Sequence, residues 1–319
     1  MIAGLLLTAL TVPCTFAAFN TSFANSSFVG DPNLFIVGVQ KGATTSLSAL
    51  LSDELKLCAK SHGRKEPHFF TKENIDDRDF LHYIHGFEVA KMHMGVRLTL
   101  DSTPKYFRTP EVWDRIRRIY SRECLREKKF ILSLREPTVR ELSSFNQYHG
   151  MCKKRNLRMC PYHYTVDFND TLHDYIDRHY RRVEEPSGDG FYIRNIKSLL
   201  RIKSRDQLFI LSFESLIDDR QIDTINRLLK FIGEPPVNST KGFFPHLNPR
   251  VNHYTGESGG FPYRVLCTDV EFLRDMFSKA NEGLLEFINS DPNRPVFEPE
   301  FLPFQERLPT ECIDDASIG

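Results

Sequence analysis

The chain has 319 residues, of which 40% are hydrophobic and 26% charged, a composition typical of a folded protein that can bury a sizeable core. Its 42 basic and 42 acidic side chains balance, so net charge does not favour nucleic acid as a partner. Any polyanion must therefore be bound by a local basic patch. No Cys/His spacing indicates a metal site.

The amino-terminal residues 1–18 predict export. Residues 2–19 carry no charge, and the first charged side chain is Asp31. An apolar leader that ends in small residues is typical of a secretory signal peptide, with cleavage after Ala17. The alternative is an uncleaved signal anchor, which would be the one membrane contact of the chain. We favour cleavage, because Pro13 interrupts the leader and no basic residues flank it.

Sequons and cysteines agree with a protein of the secretory pathway, either in the Golgi lumen or secreted. Four Asn-x-Ser/Thr sequons can accept glycans in that setting, at Asn20, Asn25, Asn169 and Asn238. Of the seven cysteines, six remain after loss of Cys14, an even number that suits an oxidising compartment. Six cysteines allow fifteen pairings, among which we expect Cys152–Cys160 first because it would close a short basic loop.

After a polar stem at residues 19–33, strand patterns alternate with helix patterns. Predicted strands begin at Leu34 and cover residues 96–100, 129–134 and 207–212. Predicted helices follow at residues 44–55, 111–122, from Pro137 onward, 221–232 and 268–289. This alternation predicts one α/β domain over residues 34–300, with a parallel sheet flanked by helices and a tail at residues 301–319. Ligands of such sheets bind at the carboxyl ends of the strands.

Residues 34–47, LFIVGVQKGATTSL, predict an anion site. An apolar strand ends near Gly38, a turn contains Lys41 and Gly42, and hydroxyl residues then open a helix whose N–H groups can face an anion. A Walker A loop would place its lysine after the second glycine, where this chain has Ala43, so a P-loop kinase is excluded. The plainer alternative is a strand–turn–helix unit capped by Thr or Ser.

Four segments resemble a known family in the same order along the chain. They are GVQKGATTSL at 38–47, KEPHFF at 65–70, LDSTPKYF at 100–107 and LSLREPTVRELS at 132–143. Together they resemble the Golgi-type carbohydrate (heparan/chondroitin-type) sulfotransferases, most clearly over residues 34–150. The resemblance implies a P-loop-like sulfotransferase fold. It also implies transfer of a sulfuryl group from PAPS (3′-phosphoadenylyl sulfate) to a hydroxyl or amino group of a glycan, such as a glycosaminoglycan-like polysaccharide.

The resemblance also assigns residues to the donor. The loop residues expected to hold the 5′-phosphosulfate are Lys41, Gly42, Ala43, Thr44, Thr45 and Ser46. Lys41 would stabilise negative charge on the leaving phosphate. Arg135 and Ser143 would hold the 3′-phosphate, and Ser143 lies about two helical turns beyond Glu136, facing the strand end. An arginine fork with a hydroxyl suits a phosphate, although Arg135 could instead pair with Glu136 or Glu141.

Glu66 is the predicted general base, because a sugar hydroxyl needs a positioned carboxylate to take its proton. His68 would share a face with Glu66 in an extended segment, where it could contact the acceptor or orient Glu66. Phe69 and Phe70 would supply an apolar wall. The plainer alternative is a surface ion pair between Lys65 and Glu66.

Two departures from the heparan-type pattern leave the acceptor open. Ser102 stands where those relatives often carry lysine, and Lys105 is a candidate replacement. Their C-terminal Lys-Gly-Arg donor loop has no counterpart in residues 256–263, where Arg250 or Arg264 could substitute. Alternatives are a sulfotransferase for a lipid, tyrosyl or small-molecule acceptor, or a catalytically silent glycan-binding relative.

Overall fold

The computed structural model describes residues 31–155, 171–202, 205–239, 265–289 and Cys312. Within these ranges the strands are β1 (Leu34–Gly38), β2 (Cys58–Ala59), β3 (Leu98–Asp101), β4 (Lys129–Leu134) and β5 (Leu208–Ser212). The longer helices are α2 (Asp77–Met94), α3 (Pro110–Ile119), α5 (Pro137–Arg155), α7 (Tyr192–Leu199), α8 (Gln221–Ile232) and α9 (Cys267–Ala280). The shorter helices are α1 (Thr44–Ala49), α4 (Arg122–Arg126), α6 (Leu172–Ile176) and α10 (Leu284–Asn289).

The five strands form one parallel sheet in the order β2-β3-β1-β4-β5. β1 pairs with β3 on one side and β4 on the other, so the strand order reverses at β1. In open parallel sheets the crevice at such a reversal, beyond the carboxyl ends of the strands, is where ligands bind. The predicted fold class, a parallel sheet flanked by helices in a single domain, is confirmed.

Helices cover both faces of the sheet, which explains why its strands are continuous apolar runs. Alternate residues of β1 enter two different cores, because successive side chains point to opposite faces. Phe35 and Val37 pack in a core with residues of α2, α3 and α7. Leu34 and Ile36 pack in a second core with residues of α1 and α8.

The predicted elements match the structure closely where the apolar pattern is strong. β4 and α8 have the predicted bounds, and the second predicted strand ends at Asp101 as expected. The helix predicted over residues 268–289 is instead two helices, α9 and α10. They are separated near Gly283, whose φ of 73° is left-handed and therefore ends a regular helix. No element was predicted for α2, although its buried Phe80, Tyr83, Ile84 and Phe87 have helical spacing.

Cysteine and sequon predictions are met in part by the described residues. Cys267 at the start of α9 forms a disulfide with Cys312, which ties a residue of the predicted tail to the domain. Cys58 is a buried free thiol. Cys160 of the expected Cys152–Cys160 pair lies outside the described residues, so the pair stays a prediction. Asn238 is exposed, whereas the other sequon asparagines and the leader lie outside the described ranges.

A search of the described helices finds none that is long and apolar enough to cross a membrane.

The Cys267–Cys312 disulfide generates a stability prediction. It closes a loop with a sequence separation of 45, so Cys312→Ser is expected to lower the free energy of unfolding by about 2–4 kcal/mol. Denaturant titration of the oxidised protein measures this. The double variant with Cys267→Ser should lose no more than either single variant, because both remove the same bond. Additive losses would contradict the pairing.

Candidate active site

The loop after β1 folds tightly against β4. The Val39 N–H donates to the Ser133 carbonyl at 2.9 Å, and the Gly42 N–H donates to the Val39 carbonyl at 2.9 Å. A Cβ at Gly42 would lie 2.5 Å from the Ser133 carbonyl oxygen, so only glycine fits. Lys41 and Ala43 flank it with left-handed φ values of 70° and 64°. The glycine therefore permits the turn that aims the loop at the start of α1.

The amino terminus of α1 lacks a side-chain cap. Ala43 occupies the cap position and makes no side-chain hydrogen bond to the helix. Thr44 and Ser46 are buried, whereas Thr45 is exposed. The first N–H groups of a helix need a partner from outside the helix. The plainer reading, a helix capped by Thr or Ser, does not describe this turn, and the uncapped N–H groups suit an anion.

Lys41 carries its charge among other cations. Its Nζ donates to the Gln147 Oε1 at 2.6 Å, and no carboxylate among the described residues pairs with it. Burial, followed by repulsion from Arg135, Lys65 and Arg140, lowers the pKa of Lys41 to about 8. Excess positive potential therefore surrounds the uncapped helix terminus.

Arg135 follows β4 directly and contacts the same loop. Its Nη1 donates to the Lys41 carbonyl at 3.1 Å, and its guanidinium lies 4.3 Å from the ring centre of Phe213. The Tyr192 hydroxyl donates to the Arg135 carbonyl at 2.6 Å. A stacked and hydrogen-bonded guanidinium is held in one orientation, as recognition of a phosphate requires.

The carboxylates suggested as alternative partners of Arg135 have other partners. Glu136 accepts from backbone N–H groups in the first turn of α5. Glu141 is fully buried and pairs with Arg140. Ser143 lies half-buried on α5, one helical turn before Gln147. The face of α5 that bears Ser143 is thus next to the contact of Gln147 with Lys41.

The segment 65–70 brings Glu66 close to the start of α1, which follows the loop after β1. Lys65 Nζ donates to Glu66 Oε1 at 2.6 Å and to Thr44 Oγ1 at 3.4 Å. His68 Nε2 lies 3.3 Å from Glu66 Oε2. Burial favours the protonated form of Glu66, but the hydrogen bond from His68 and the charge of Lys65 outweigh it and lower the pKa of Glu66. Glu66 is therefore an ionised carboxylate at neutral pH.

The local backbone differs from the extended segment predicted around His68. His68 has a left-handed φ of 56°, and its contact with Glu66 depends on that turn. Such a conformation is unfavourable for a residue with a Cβ and needs support from its surroundings. The support is direct: the His68 N–H donates to Thr103 Oγ1 at 3.3 Å, and Thr71 Oγ1 donates to the His68 carbonyl at 2.6 Å.

Phe69 and Phe70 do not form the apolar wall that was predicted. Both are buried, and their rings pack against Tyr83. They are core residues that anchor the segment, because a side chain with no exposed surface cannot contact an acceptor.

Residues at and after the end of β3 hold the segment 65–70 through hydrogen bonds. Asp101 is fully buried and accepts hydrogen bonds from the hydroxyls of Tyr83, Thr103 and Tyr106. Ser102 is also fully buried, and its N–H donates to the Lys65 carbonyl at 3.2 Å.

The other basic candidates are placed only in part. Lys105 is half-buried, and burial followed by the charges of Arg108 and Arg115 lowers its pKa. Arg250 and Arg264 lie outside the described residues.

Gln147 and Asp101 were not predicted as contributors to this site, and Lys65 was considered only as the ion-pair partner of Glu66, a pair that the structure contains. Lys65, Gln147 and Asp101 make contacts that join the predicted residues to one another. Lys65 and Asp101 lie inside two of the four segments that resemble the sulfotransferase family, so the sequence could have indicated them as site residues. Gln147 had no such signal, because it follows the last segment and its partner Lys41 is 106 residues away.

Comparison with known proteins identifies the family of the chain. A sulfotransferase domain family model matches residues 31–242, well over half of the chain. The heparan sulfate glucosamine 3-O-sulfotransferase 5 proteins of Mus musculus and Homo sapiens are each 24% identical to the chain over 278 residues. Each alignment covers 83% of the chain and 74% of the relative.

A solved structure supports the fold. The sulfotransferase from Alicyclobacillus acidocaldarius superposes with a TM-score of 0.51 at 22% identity, covering 82% of this chain and 98% of that one. The matching family model, over residues that include both the loop after β1 and the segment of Glu66, shows that the chain belongs to the sulfotransferase domain family and is a PAPS-dependent sulfotransferase.

Proposed function

We propose that the chain transfers the sulfuryl group of PAPS to a hydroxyl or amino group of a glycan, with Glu66 as general base. The observation that carries this proposal is the position of Lys65. Its Nζ contacts both Glu66 and Thr44, which belongs to the loop after β1 and the start of α1 (residues 38–46, here called the donor loop). Only the Lys65 ammonium therefore lies between Glu66, the candidate base, and Thr44 at the anion site. In-line transfer between two oxygens requires the base and the donor to lie this close.

The residues present fit a bound nucleotide phosphate. The tight turn at Gly42 leaves the first N–H groups of α1 uncapped, and Lys41 is surrounded by cations without a carboxylate partner among the described residues. An anion would satisfy both, since it accepts from the N–H groups and offsets the repulsion. The 5′-phosphosulfate is assigned to Lys41 and residues 42–46, and the 3′-phosphate to Arg135 and Ser143.

The chemistry is assigned to a few side chains. PAPS supplies an activated sulfuryl group. Lys41 offsets the negative charge that develops on the leaving phosphate, which is the kind of preorganised stabilisation that dominates such transfers. Glu66 takes the proton of the acceptor, and His68, 3.3 Å from it, orients the carboxylate.

Lys65 couples the two halves of the site in this proposal. In the present geometry it holds Glu66 at 2.6 Å and so keeps the basicity of that carboxylate low. Thr44 Oγ1, 3.4 Å away, marks the direction in which a donor phosphate would draw the ammonium. Movement of Lys65 toward the donor would raise the pKa of Glu66, because the nearest positive charge leaves it. Glu66 would then act as a base when the donor is bound.

A glycan is the acceptor class that we favour. The relatives of the chain are named as heparan sulfate sulfotransferases, and the KEPH segment resembles the chondroitin-type branch. Arg115 donates to the Phe70 carbonyl at 3.0 Å, so one basic side chain lies beside this segment. The apolar leader and the sequons place the enzyme in the Golgi lumen or outside the cell in this proposal.

The acceptor class is tested with radiolabelled PAPS and a panel of glycosaminoglycans, with a sterol, a tyrosyl peptide and a small phenol as competing classes. We expect label to enter at least one glycan and no competing acceptor. Glu66→Gln serves as the matched control, because it keeps the shape of the side chain and removes its basicity. Label in a competing class alone would overturn the glycan assignment. No transfer to any acceptor by protein that binds PAP (3′,5′-adenosine bisphosphate) would favour a silent relative.

Donor binding and chemistry are expected to separate in two variants. Arg135→Ala removes a charge-assisted contact, so affinity for PAP should fall by about 1.5–3 kcal/mol, tenfold or more. Glu66→Gln should bind PAP almost normally while turnover collapses, because its role is confined to the transition state. Calorimetric titration beside a turnover assay measures both. Unchanged PAP binding by Arg135→Ala would remove it from the donor site, and normal turnover of Glu66→Gln would place the base elsewhere.

The lowered pKa of Lys41 predicts how donor affinity depends on pH. The free ammonium loses its proton near pH 8, whereas a bound anion favours the charged form and raises that pKa. PAP affinity should therefore be constant from about pH 7 to 7.5 and fall by up to about tenfold per pH unit above 8, where binding requires proton uptake.

Two variants control this measurement. Lys41→Arg stays charged throughout this range, so its PAP affinity should not show the alkaline fall. Lys41→Ala should lose about 10²–10³ in turnover. A flat profile in the native protein between pH 7 and 9.5 would show that Lys41 does not contact the donor.

A further inference from the structure

We infer that the Asp101 carboxylate is a positioning residue for catalysis: through the hydroxyls of Thr103 and Tyr106 it holds the backbone of residues 65–70 and thereby fixes Glu66 and His68. This inference rests on the proposed role of Glu66. It adds to that role a buried group that contacts neither donor nor acceptor.

The contacts form a branched relay that starts at Asp101. Asp101 Oδ1 accepts from Thr103 Oγ1 at 2.6 Å, and Asp101 Oδ2 accepts from the Tyr106 hydroxyl at 2.9 Å. Thr103 Oγ1 in turn accepts from the His68 N–H, and the Tyr106 hydroxyl accepts from the Phe70 N–H, each at 3.3 Å. Both hydroxyls thus connect the carboxylate to the backbone that carries Glu66.

The direction of each hydrogen bond depends on the charge of Asp101. An ionised carboxylate only accepts, so both hydroxyl protons point toward it and both hydroxyl oxygens remain able to accept from the backbone. A protonated Asp101 donates its own proton to one of the hydroxyls and makes only neutral hydrogen bonds to the others, whereas an ionised carboxylate makes charge-assisted bonds of about twice the strength. The relay is therefore strongest with the carboxylate ionised, and it weakens when the carboxyl is protonated.

The surroundings of Asp101 make its ionisation sensitive to pH. It is fully buried, and burial raises its pKa to about 6 against the opposing effect of the three hydroxyl hydrogen bonds. The groups that face it are Tyr83 from α2, Tyr106 from the turn after β3, Tyr120 after α3, and His68 from the catalytic segment. Burial raises the pKa of all three tyrosines well above the usual value, so they stay neutral.

The relay matters because His68 has the unfavourable left-handed φ of 56°. When the hydrogen bond from the His68 N–H to Thr103 is lost, the backbone of His68 can relax from its left-handed φ to a more favourable one. Glu66, two residues earlier in the chain, then moves with it. A displacement of about 1 Å at a catalytic group can cost about 10² in rate. The donor loop has its own hydrogen bonds to β4 and is unaffected.

A matched pair of variants tests the relay. Thr103→Val keeps the shape of the side chain but removes the link to His68, so kcat should fall by about 10- to 100-fold while PAP affinity changes by less than about twofold. Tyr83→Phe removes an equally short bond to Asp101, of 2.7 Å, yet Tyr83 donates to no residue of the catalytic segment in this relay. Its kcat should fall by less than about threefold. Thr103→Ser should restore most of the activity.

The pH profile of kcat gives a second readout that a purely structural role would not change. Since the pKa of Asp101 is raised to about 6, turnover should be full above pH 7 and fall as the pH drops through 6. Asp101→Asn fixes the neutral state, so its turnover should be low and flat across this range while PAP still binds. His68→Gln should keep the acidic fall, and a flat profile in that variant would contradict its assignment to Asp101.

The possible outcomes are distinct. Equal loss of kcat in Thr103→Val and Tyr83→Phe, or normal kcat in Thr103→Val, overturns the relay. If Asp101→Asn does not fold, the comparison of Thr103→Val with Tyr83→Phe still tests whether the relay positions the catalytic segment. If Thr103→Val is normal while Glu66→Gln is inactive, only the relay fails. If Glu66→Gln turns over normally, the proposed function itself fails.

Discussion

The parallel pairing of β1 with β3 on one side and β4 on the other is the constraint on which the site depends. Parallel strands end at the same edge of a sheet, so the segments that leave all three meet there. That edge brings together Lys41 after β1, Asp101 at the end of β3 and Arg135 after β4. Because the sheet is buried on both faces, a one-residue slip of a strand would exchange its side chains between the two cores, so hydrophobic packing fixes the positions of these residues.

Burial perturbs two groups of this edge in opposite senses. It lowers the pKa of Lys41 to about 8 and raises that of Asp101 to about 6, so each charged form is destabilised by the same removal from water. For Lys41 the charge is left without a carboxylate partner among the described residues, which suits binding of an anion. For Asp101 the charge is satisfied by three hydroxyls and has a structural use. Opposite shifts in one crevice are typical of catalytic sites.

A second buried charge network lies behind the donor loop and holds α5 in place. Arg140 and Glu141 are adjacent and fully buried, and Tyr175 Oη donates to Glu141 Oε1 at 2.5 Å. Arg108 Nη1 lies 3.2 Å from the buried Asp189. Loss of one member of such a network leaves an uncompensated charge and is strongly destabilising. The network therefore fixes the helix face that carries Ser143 and Gln147 toward Lys41.

Sequence patterns alone predicted four of the five described strands, the order of the motifs and the residues at the strand ends, whereas the two-residue strand β2 had no predicted counterpart. Those features are local: an apolar run such as residues 129–134, a glycine turn and a helix pattern each depend on neighbours in the chain. The break near Gly283 had a local signal, a glycine, but the helical pattern continues on both sides of it. Helix α2 had apolar residues at helical spacing, although no helix was predicted there. Most strands and helices of the fold could therefore be predicted from local residue patterns.

The assembly of the site depends on contacts between segments that are far apart in the chain. The contact between Lys41 and Gln147 spans 106 residues, and the contact between Lys65 and Thr44 spans 21. Neither pair has a periodic signature, because both are set by where the strands place their loops in space. The burial of Phe69 and Phe70 is decided in the same way: a hydrophobic side chain after a turn can face a ligand or the core, and packing against Tyr83 selects the core.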